Sequence, residues 1–336
     1  MQNGPAPHEQ ILSTILGYWQ ANALGVATKL GLADFLATRP LPVDELAEQA
    51  GVSAPALFRL MRALESIGIF TQISRGVFAN NAVSEILRKD VPGSQAAGIL
   101  HQLCKGNGCY EAWGEFEYTV TTGENSINKI YGCDFWEFLR SHPKAHDAMN
   151  RAMLSVSEAM TPAITAAYDW GQFQVIVDVG GGIGTQIASI LDAFPLTSGI
   201  VFDQPHVVAE LLRHEHLKAM GGDFFESVPR NADAYLLRFV LHDWSDQEAA
   251  AILRSERRSM KPSATLILAE WIIPEGPGPD LSKWTDLHMM VMFRGRERTQ
   301  TELRELLTAK GFELKEVVPT ASAVTLLIAK PVQQRS

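Results

Sequence analysis

Along the first eighty residues, apolar positions recur every three or four places. Ile11, Leu12, Ile15, Leu16 and Trp19, then Val26, Ala27, Leu30, Leu32, Phe35 and Leu36, predict two amphipathic helices over residues 8–38. So much apolar surface near an N-terminus needs a cover. After Pro40, residues 43–51 and 54–68 read as a helix, a glycine-stopped turn and a second helix, and residues 69–79 as a small hairpin around Ser74-Arg75-Gly76. That is a winged-helix outline. Residues 93–170 hold no strong strand signal; their mixed aromatic and polar stretches (Tyr110 to Tyr118, Phe135 to Leu139, Ala148 to Met153) predict linking helices. From residue 171 the pattern changes to strand, helix, strand, which predicts a doubly wound α/β domain.

That domain opens on Val175-Ile-Val-Asp-Val-Gly-Gly-Gly-Ile-Gly184, an apolar run too short for a helix that enters a cluster of glycines, with a helical pattern from Thr185. Glycine accepts positive φ and carries no Cβ, so a ligand can lie on bare backbone at the helix start. The dinucleotide fingerprint wants a small third residue where Thr185 stands. Asp178-x-Gly180-x-Gly182-x-Gly184 is instead similar to the loop of class I S-adenosylmethionine (SAM) methyltransferases. The loop alone favours SAM over NAD, with a purely structural glycine turn as a third reading.

The strands that follow each end in chemistry. Gly199–Asp203 ends in a carboxylate about twenty positions beyond the loop, where it can accept the ribose hydroxyls of an adenosine cofactor. Gly221-Gly-Asp223-Phe224-Phe225 ends a third strand. Ala234–Leu241 runs into His242-Asp243-Trp-Ser-Asp246, and Ala264–Glu270 places another carboxylate at a strand end. Open α/β sheets bind ligands outside the carboxyl ends of their strands, so these groups converge on one crevice.

Composition narrows the partners. The 336 residues suggest two domains with room for a large core, and a net charge of -9 argues against a nucleic acid as the main partner. Arg59 and Arg62 on the would-be recognition helix keep a DNA-binding, SAM-sensing regulator open as a second class, but Phe58, Leu60, Met61 and Leu64 favour a scaffold. Three cysteines, Cys104, Cys109 and Cys133, lack metal or disulfide spacing. His142 and His146 are interrupted by Pro143 and Lys144 and read as a solvated helix start. His214 and His216 read as a polar helix end. No metal is expected, and the N-terminus lacks a signal peptide or membrane span, so the expected location is cytoplasmic.

Taken in order, the winged-helix region, the glycine loop, Val201-Phe-Asp-Gln-Pro-His206, Gly222-Asp-Phe, His242-Asp-Trp-Ser-Asp and Gly295-Arg-Glu-Arg-Thr299 resemble the class I O-methyltransferases of small hydroxylated aromatics. These include the plant caffeate and flavonoid enzymes and their bacterial relatives. The resemblance covers almost the whole chain. It implies a Rossmann-like, doubly wound SAM-binding domain over residues 166–336, a mainly α-helical winged-helix dimerisation domain over 1–105, and linking helices that reach the substrate pocket over 106–165. It implies a homodimer. For the cofactor it implies Gly180 and its loop, Gly182 included, at the amino-acid part, Asp203 at the ribose, and Asp223 and Phe224 at the adenine, with Asp178 and Gln204 also among the cofactor-binding residues. Arg238 falls where plant relatives have a lysine.

For the chemistry, the resemblance makes His242 the general base, flanked by Glu270 and Glu297, with Asp243, Met153, Met289, Met290 and Phe293 at the substrate. A phenol titrates near 10 and a histidine near 6.5, so unaided proton transfer is uphill by about 3.5 units, roughly 5 kcal/mol. A carboxylate on the far imidazole nitrogen narrows that gap. The product is S-adenosylhomocysteine and the acceptor a planar hydroxylated metabolite. Phe293-Arg294-Gly295 has no amide to hold a caffeate-type hydroxyl. N- or C-methylation is the alternative within the same fold.

Overall fold

The computed structural model describes residues 6–332. The chain divides into two compact units. One comprises the chain up to Gly114 together with Trp136–Val156, the other Glu115–Phe135 together with the chain from Ser157.

In the first unit, α1 (Pro7–Leu30) begins with proline in its first turn and ends at Gly31, whose φ of 70° caps the helix in the left-handed region. The short α2 (Leu32–Phe35) follows. Next come β1 (Leu41–Pro42), α3 (Val43–Ala50), α4 (Ala54–Glu65), β2 (Thr71–Ser74) and β3 (Val77–Ala79). The strands form an antiparallel sheet in the order β1-β3-β2. Leu32, Leu46, Leu57, Met61, Phe70 and Phe78 pack as its core. This is the expected winged helix. Further helices are α5 (Ala82–Glu85), α6 (Ala96–Leu103) and α7 (Cys109–Gly114). On α1 only Gly25, Ala27 and Thr28 are buried.

In the second unit, α8 (Phe116–Thr122) and α9 (Ser126–Tyr131) precede a sheet of eight strands. Between them and the sheet, α10 (Phe135–Ser141) and α11 (Pro143–Ala166) each have residues in both units. The strands and helices that follow are β4 (Val175–Val179), α12 (Thr185–Ala193), β5 (Ser198–Asp203), α13 (Pro205–Val208), β6 (Leu217–Gly221), β7 (Ala234–Arg238), α14 (Asp246–Ser259) and β8 (Thr265–Ile273). The chain ends with α15 (Ser282–Met292), β9 (Arg298–Thr299), α16 (Gln300–Ala309), β10 (Phe312–Pro319) and β11 (Val324–Pro331). The sheet order is β10-β11-β8-β7-β4-β5-β6, with β9 paired to β8. Strands β4 to β8 run parallel, while β11 is antiparallel to both neighbours. The near-continuous apolar runs of β4, β7 and β8 follow from burial on both faces. Two apolar layers flank the sheet, one around Tyr235, Leu237 and Leu268, the other around Trp170, Ile187, Leu236 and Ile267.

The order reverses at β4, so the crevice at its carboxyl end, between β5 and β7, is the topological switch point. Some placements differ from those read in the sequence. Strand β7 stops at Arg238 because Phe239 adopts φ 53°, which turns the chain out of the sheet. Strand β8 continues past Glu270 to Ile273, where it gains β9 as a partner. His214 and His216 lie in the turn before β6, with His214 Nε2 3.3 Å from Asp192 Oδ1. Among the described residues no helix is long and apolar enough to cross a membrane.

Candidate active site

At the switch point the loop after β4 sets Gly180, Gly182 and Gly184 at φ of 70°, 59° and 87°. A Cβ on Gly180 would stand 2.8 Å from Val240 Cγ2, so the floor of the loop is packed. A Cβ on Gly182 would meet nothing within 4 Å, so its rim is open for a ligand on bare backbone. The Gly182 N–H donates to Asp203 Oδ2 at 2.9 Å, and the Gln204 N–H donates to Oδ1 at 2.7 Å. Burial raises the Asp203 pKa, and these two bonds partly offset it. Each oxygen keeps a lone pair for a hydroxyl. Beyond β6, Asp223 is exposed and accepts from the Phe225 N–H at 2.8 Å, and Phe224 meets Trp244 edge to face at 5.9 Å.

Asp178 lies beneath the loop, 1% exposed, and its Oδ2 has no partner among the described residues. Burial pushes its pKa up to about 7 against the opposing pull of Arg238. Arg238 donates from Nη1 to Ser157 Oγ at 3.4 Å and Thr161 Oγ1 at 3.2 Å. Its buried Nε and Nη2 have no partner among the described residues. Burial lowers its pKa, opposed by Asp178. An open glycine cradle, an unsatisfied carboxylate oxygen and unsatisfied guanidinium donors fit a ligand that carries both an ammonium and a carboxylate, as the methionine part of SAM does.

The segment after β7 carries the candidate base. A single 3-10 turn, Leu241–Asp243, presents His242. Its Nδ1 lies 3.0 Å from Glu297 Oε1 and its Nε2 3.4 Å from Asp243 Oδ1. Glu270 Oε1 accepts from the Leu241 N–H at 3.1 Å. Donor atoms of His242, Glu270 and Glu297 all lie within 4.8 Å of one another. The two glutamates are 2% and 1% exposed, and each keeps an Oε2 without a partner among the described residues. Burial alone would lower the imidazole pKa. Asp243, the hydrogen bond to Glu297 and the Glu270 charge outweigh it and raise the pKa to about 10. Burial raises Glu270 to about 7 and Asp243 to about 6, the His242 charge opposing both. With Nδ1–H donating to Glu297, Nε2 is the nitrogen left to accept a proton.

The imidazole follows the end of β7 and Glu270 lies within β8, two strands whose convergence the sequence pattern implied, while Glu297 immediately precedes β9 in the Gly295–Thr299 motif. Helix α15 places Met289 buried and Met290 half-buried, and Phe293 at its C-terminus meets Phe135 edge to face at 5.3 Å. Met153 lies on α11 in the first unit, 43% exposed. Sequence reading passed over three groups. Phe239 stacks on the imidazole at 5.5 Å and 23°, with the Arg238 guanidinium 5.4 Å and Trp271 5.2 Å from its ring. Asp286 on α15 accepts from the Glu297 N–H at 2.9 Å. Arg298 holds the carbonyls on either side of His242. Only Arg298 sat inside a motif already marked, Gly295-Arg-Glu-Arg-Thr299.

A sheet of this order, a glycine cradle at its switch point and a carboxylate-held imidazole beside it define a Rossmann-like, SAM-dependent methyltransferase. The chain belongs to the O-methyltransferase family: the O-methyltransferase domain model matches residues 113–313 and the O-methyltransferase dimerisation domain model residues 12–90. It is similar to a phenazine O-methyltransferase of Lysobacter antibioticus, 38% identical over 96% of this chain and 96% of that one. It is also similar to a mitomycin biosynthesis 6-O-methyltransferase of Streptomyces lavendulae, 34% identical over 96% and 94%. Among solved structures it matches an O-methyltransferase from neocarzinostatin biosynthesis in complex with SAM and 2-hydroxy-5-methyl naphthoic acid. That match has a TM-score of 0.80 and 30% identity over 93% of this chain and 96% of the other.

Proposed function

We propose that this enzyme methylates a phenolic hydroxyl of a planar, multi-ring aromatic metabolite, with His242 as general base. The observation that carries the reading is the half-buried imidazole held at Nδ1 by the buried Glu297, 3.0 Å away, with Glu270 beside it. SAM, when bound, supplies an electrophilic methyl. The chain's own residues do the rest. Gly180 and Gly182, with Asp178 and Arg238, receive the methionine part, and Asp203, Gln204, Asp223 and Phe224 the adenosine. His242 Nε2 takes the acceptor's hydroxyl proton while Glu297 stabilises the imidazolium that forms. With the imidazole raised to about 10, transfer of a phenol's proton to its neutral form is close to balanced, and that form gains population as pH rises toward 10.

Asp243, Met289, Met290, Phe293 and Met153 are read as acceptor contacts. The phenazine, mitomycin and naphthoic acid named for the relatives support a fused-ring acceptor. The dimerisation match supports a homodimer, and the division into residues 1–105, 106–165 and 166–336 belongs to the same reading. The test is His242→Ala with labelled SAM and a panel of hydroxylated phenazines, naphthoates and quinones. Transfer falls by about 10²–10⁴-fold while SAM still binds. An undiminished rate rejects the base.

A further inference from the structure

The segment that carries His242 has little to hold it from within. Its local bonds, Asp243 N–H to the Val240 carbonyl and Trp244 N–H to the Leu241 carbonyl, are both 3.3 Å long. Glu270 accepts the Leu241 N–H at 3.1 Å, and the segment's carbonyls are held by Arg298, more than fifty positions along the chain and 3% exposed. Arg298 Nη1 donates to the Leu241 carbonyl at 2.9 Å, and Nη2 donates to the Trp244 carbonyl at 2.9 Å. Nε donates to Asp246 Oδ1 at 2.9 Å, which completes an ion pair. One planar fork therefore grips the chain immediately before and after His242-Asp243.

The neighbouring residues complete the grip. A Cβ at Gly295 would stand 1.9 Å from the His242 carbonyl oxygen, so this backbone lies directly on the peptide of the base and admits only glycine. Glu297 meets the imidazole, and its own N–H is held by Asp286. The Arg298 charge also lowers the Glu270 pKa, as His242 does, against the effect of burial.

We infer that Arg298 is the positioning residue of the base: by spanning the carbonyls of Leu241 and Trp244 it holds the His242 imidazole at hydrogen-bond distance from Glu297. The inference rests on the reading of His242 as base. A lysine keeps the charge but not the fork, because a compact ammonium cannot serve two carbonyls and a carboxylate in one plane. Arg298→Lys thus separates geometry from charge.

The full-length chain labelled with ¹⁵N-histidine is titrated by NMR, with His242→Asn to assign the signal and Glu297→Gln as the reference for a lost carboxylate. In Arg298→Lys the His242 pKa falls toward the ordinary histidine value by about one unit or more, and the Nδ1–H signal moves toward its position in Glu297→Gln. At the same time kcat drops about tenfold or more while the SAM Kd changes little. A His242 titration and Nδ1–H signal indistinguishable from wild type overturn the inference, whatever the rate. If Arg298→Lys does not fold, Asp246→Ala decides at the exposed end of the same guanidinium: a smaller shift in the same direction supports the brace, and no shift rejects it. Retention of the wild-type rate by His242→Ala would sink the base reading and leave the NMR result standing.

Discussion

For His242, burial and charge act in opposite senses, and their balance sets its chemistry. Removing an imidazole from water favours its neutral form, yet Asp243, Glu297 and Glu270 surround it so closely that the imidazolium wins and the pKa rises to about 10. The base-competent neutral form therefore grows as pH rises. Methyl transfer is expected to climb through the neutral and alkaline range toward about pH 10. Glu297→Gln keeps an acceptor for Nδ1–H but removes a negative charge, so the imidazole pKa falls. The rising limb of the kcat profile then moves to lower pH, and the plateau drops by about tenfold or more because a weaker base faces a phenol near 10. A profile that keeps its wild-type midpoint would show that Glu297 does not tune the base. The sequence made His242 and Glu297 visible only as members of separate motifs. Their contact joins positions 55 residues apart, and no periodicity reports that. Phe239 was invisible for another reason: its stacking on the imidazole depends on a φ of 53°, which a bulky residue adopts at a cost of about 1–3 kcal/mol.

Helix α14 follows the base directly and combines a legible start with a concealed conflict. Ser245 and Glu248 form a capping box, the serine Oγ accepting from the Glu248 N–H at 3.3 Å, and Arg257 and Arg258 stand in the last turn. Ala249, Ile252 and Leu253 form its buried stripe, and the same stripe continues to Glu256. That carboxyl is fully buried, neither oxygen has a partner among the described residues, and burial raises its pKa to about 8. The folded state therefore keeps a proton that the unfolded chain gives up near 4.5. The native fold loses stability from this group as pH rises between about 4.5 and 8, and no more beyond. Glu256→Gln removes that slope. Its melting temperature should exceed that of wild type at pH 9, by at least about 1 kcal/mol in stability, and converge with it near pH 5. An equal difference at both pH values would mean that Glu256 is ionised or partnered throughout. Alternating and helical patterns find elements well, as they did for β4, β5 and the two winged-helix helices. They do not show that a charged residue in an apolar stripe points inward.

For the whole chain, the helical N-terminal part and the α/β part were legible because their patterns differ: amphipathic helices and a hairpin first, then fully apolar strands after residue 171; the exchange of residues 115–135 and 136–156 between the two units was not. The C-terminal antiparallel pair β10 and β11 was not read, since its place beside β8 is set by long-range pairing rather than by local signal. What the pattern did announce was an apolar stripe in want of a cover. On α1, Ile11 and Trp19 are 65% and 61% exposed, and Leu12 and Ile15 each 52%. A contiguous face of this kind on a helix matched by a dimerisation domain is suited to a second copy of the chain. Burying apolar area yields about 25 cal/mol per Å², so several such side chains from each copy supply a substantial part of an association energy. Ile15→Asp with Trp19→Asp would place two charges in that face with no partner. The expected outcome by light scattering is a two-chain mass for wild type and a one-chain mass, or a dissociation constant weakened by at least about a hundredfold, for the double variant. The second unit does not include α1, so the variant should still bind SAM. A wild-type protein that stays at one-chain mass at micromolar concentration would refute the homodimer, and the exposed stripe would then require a different occupant.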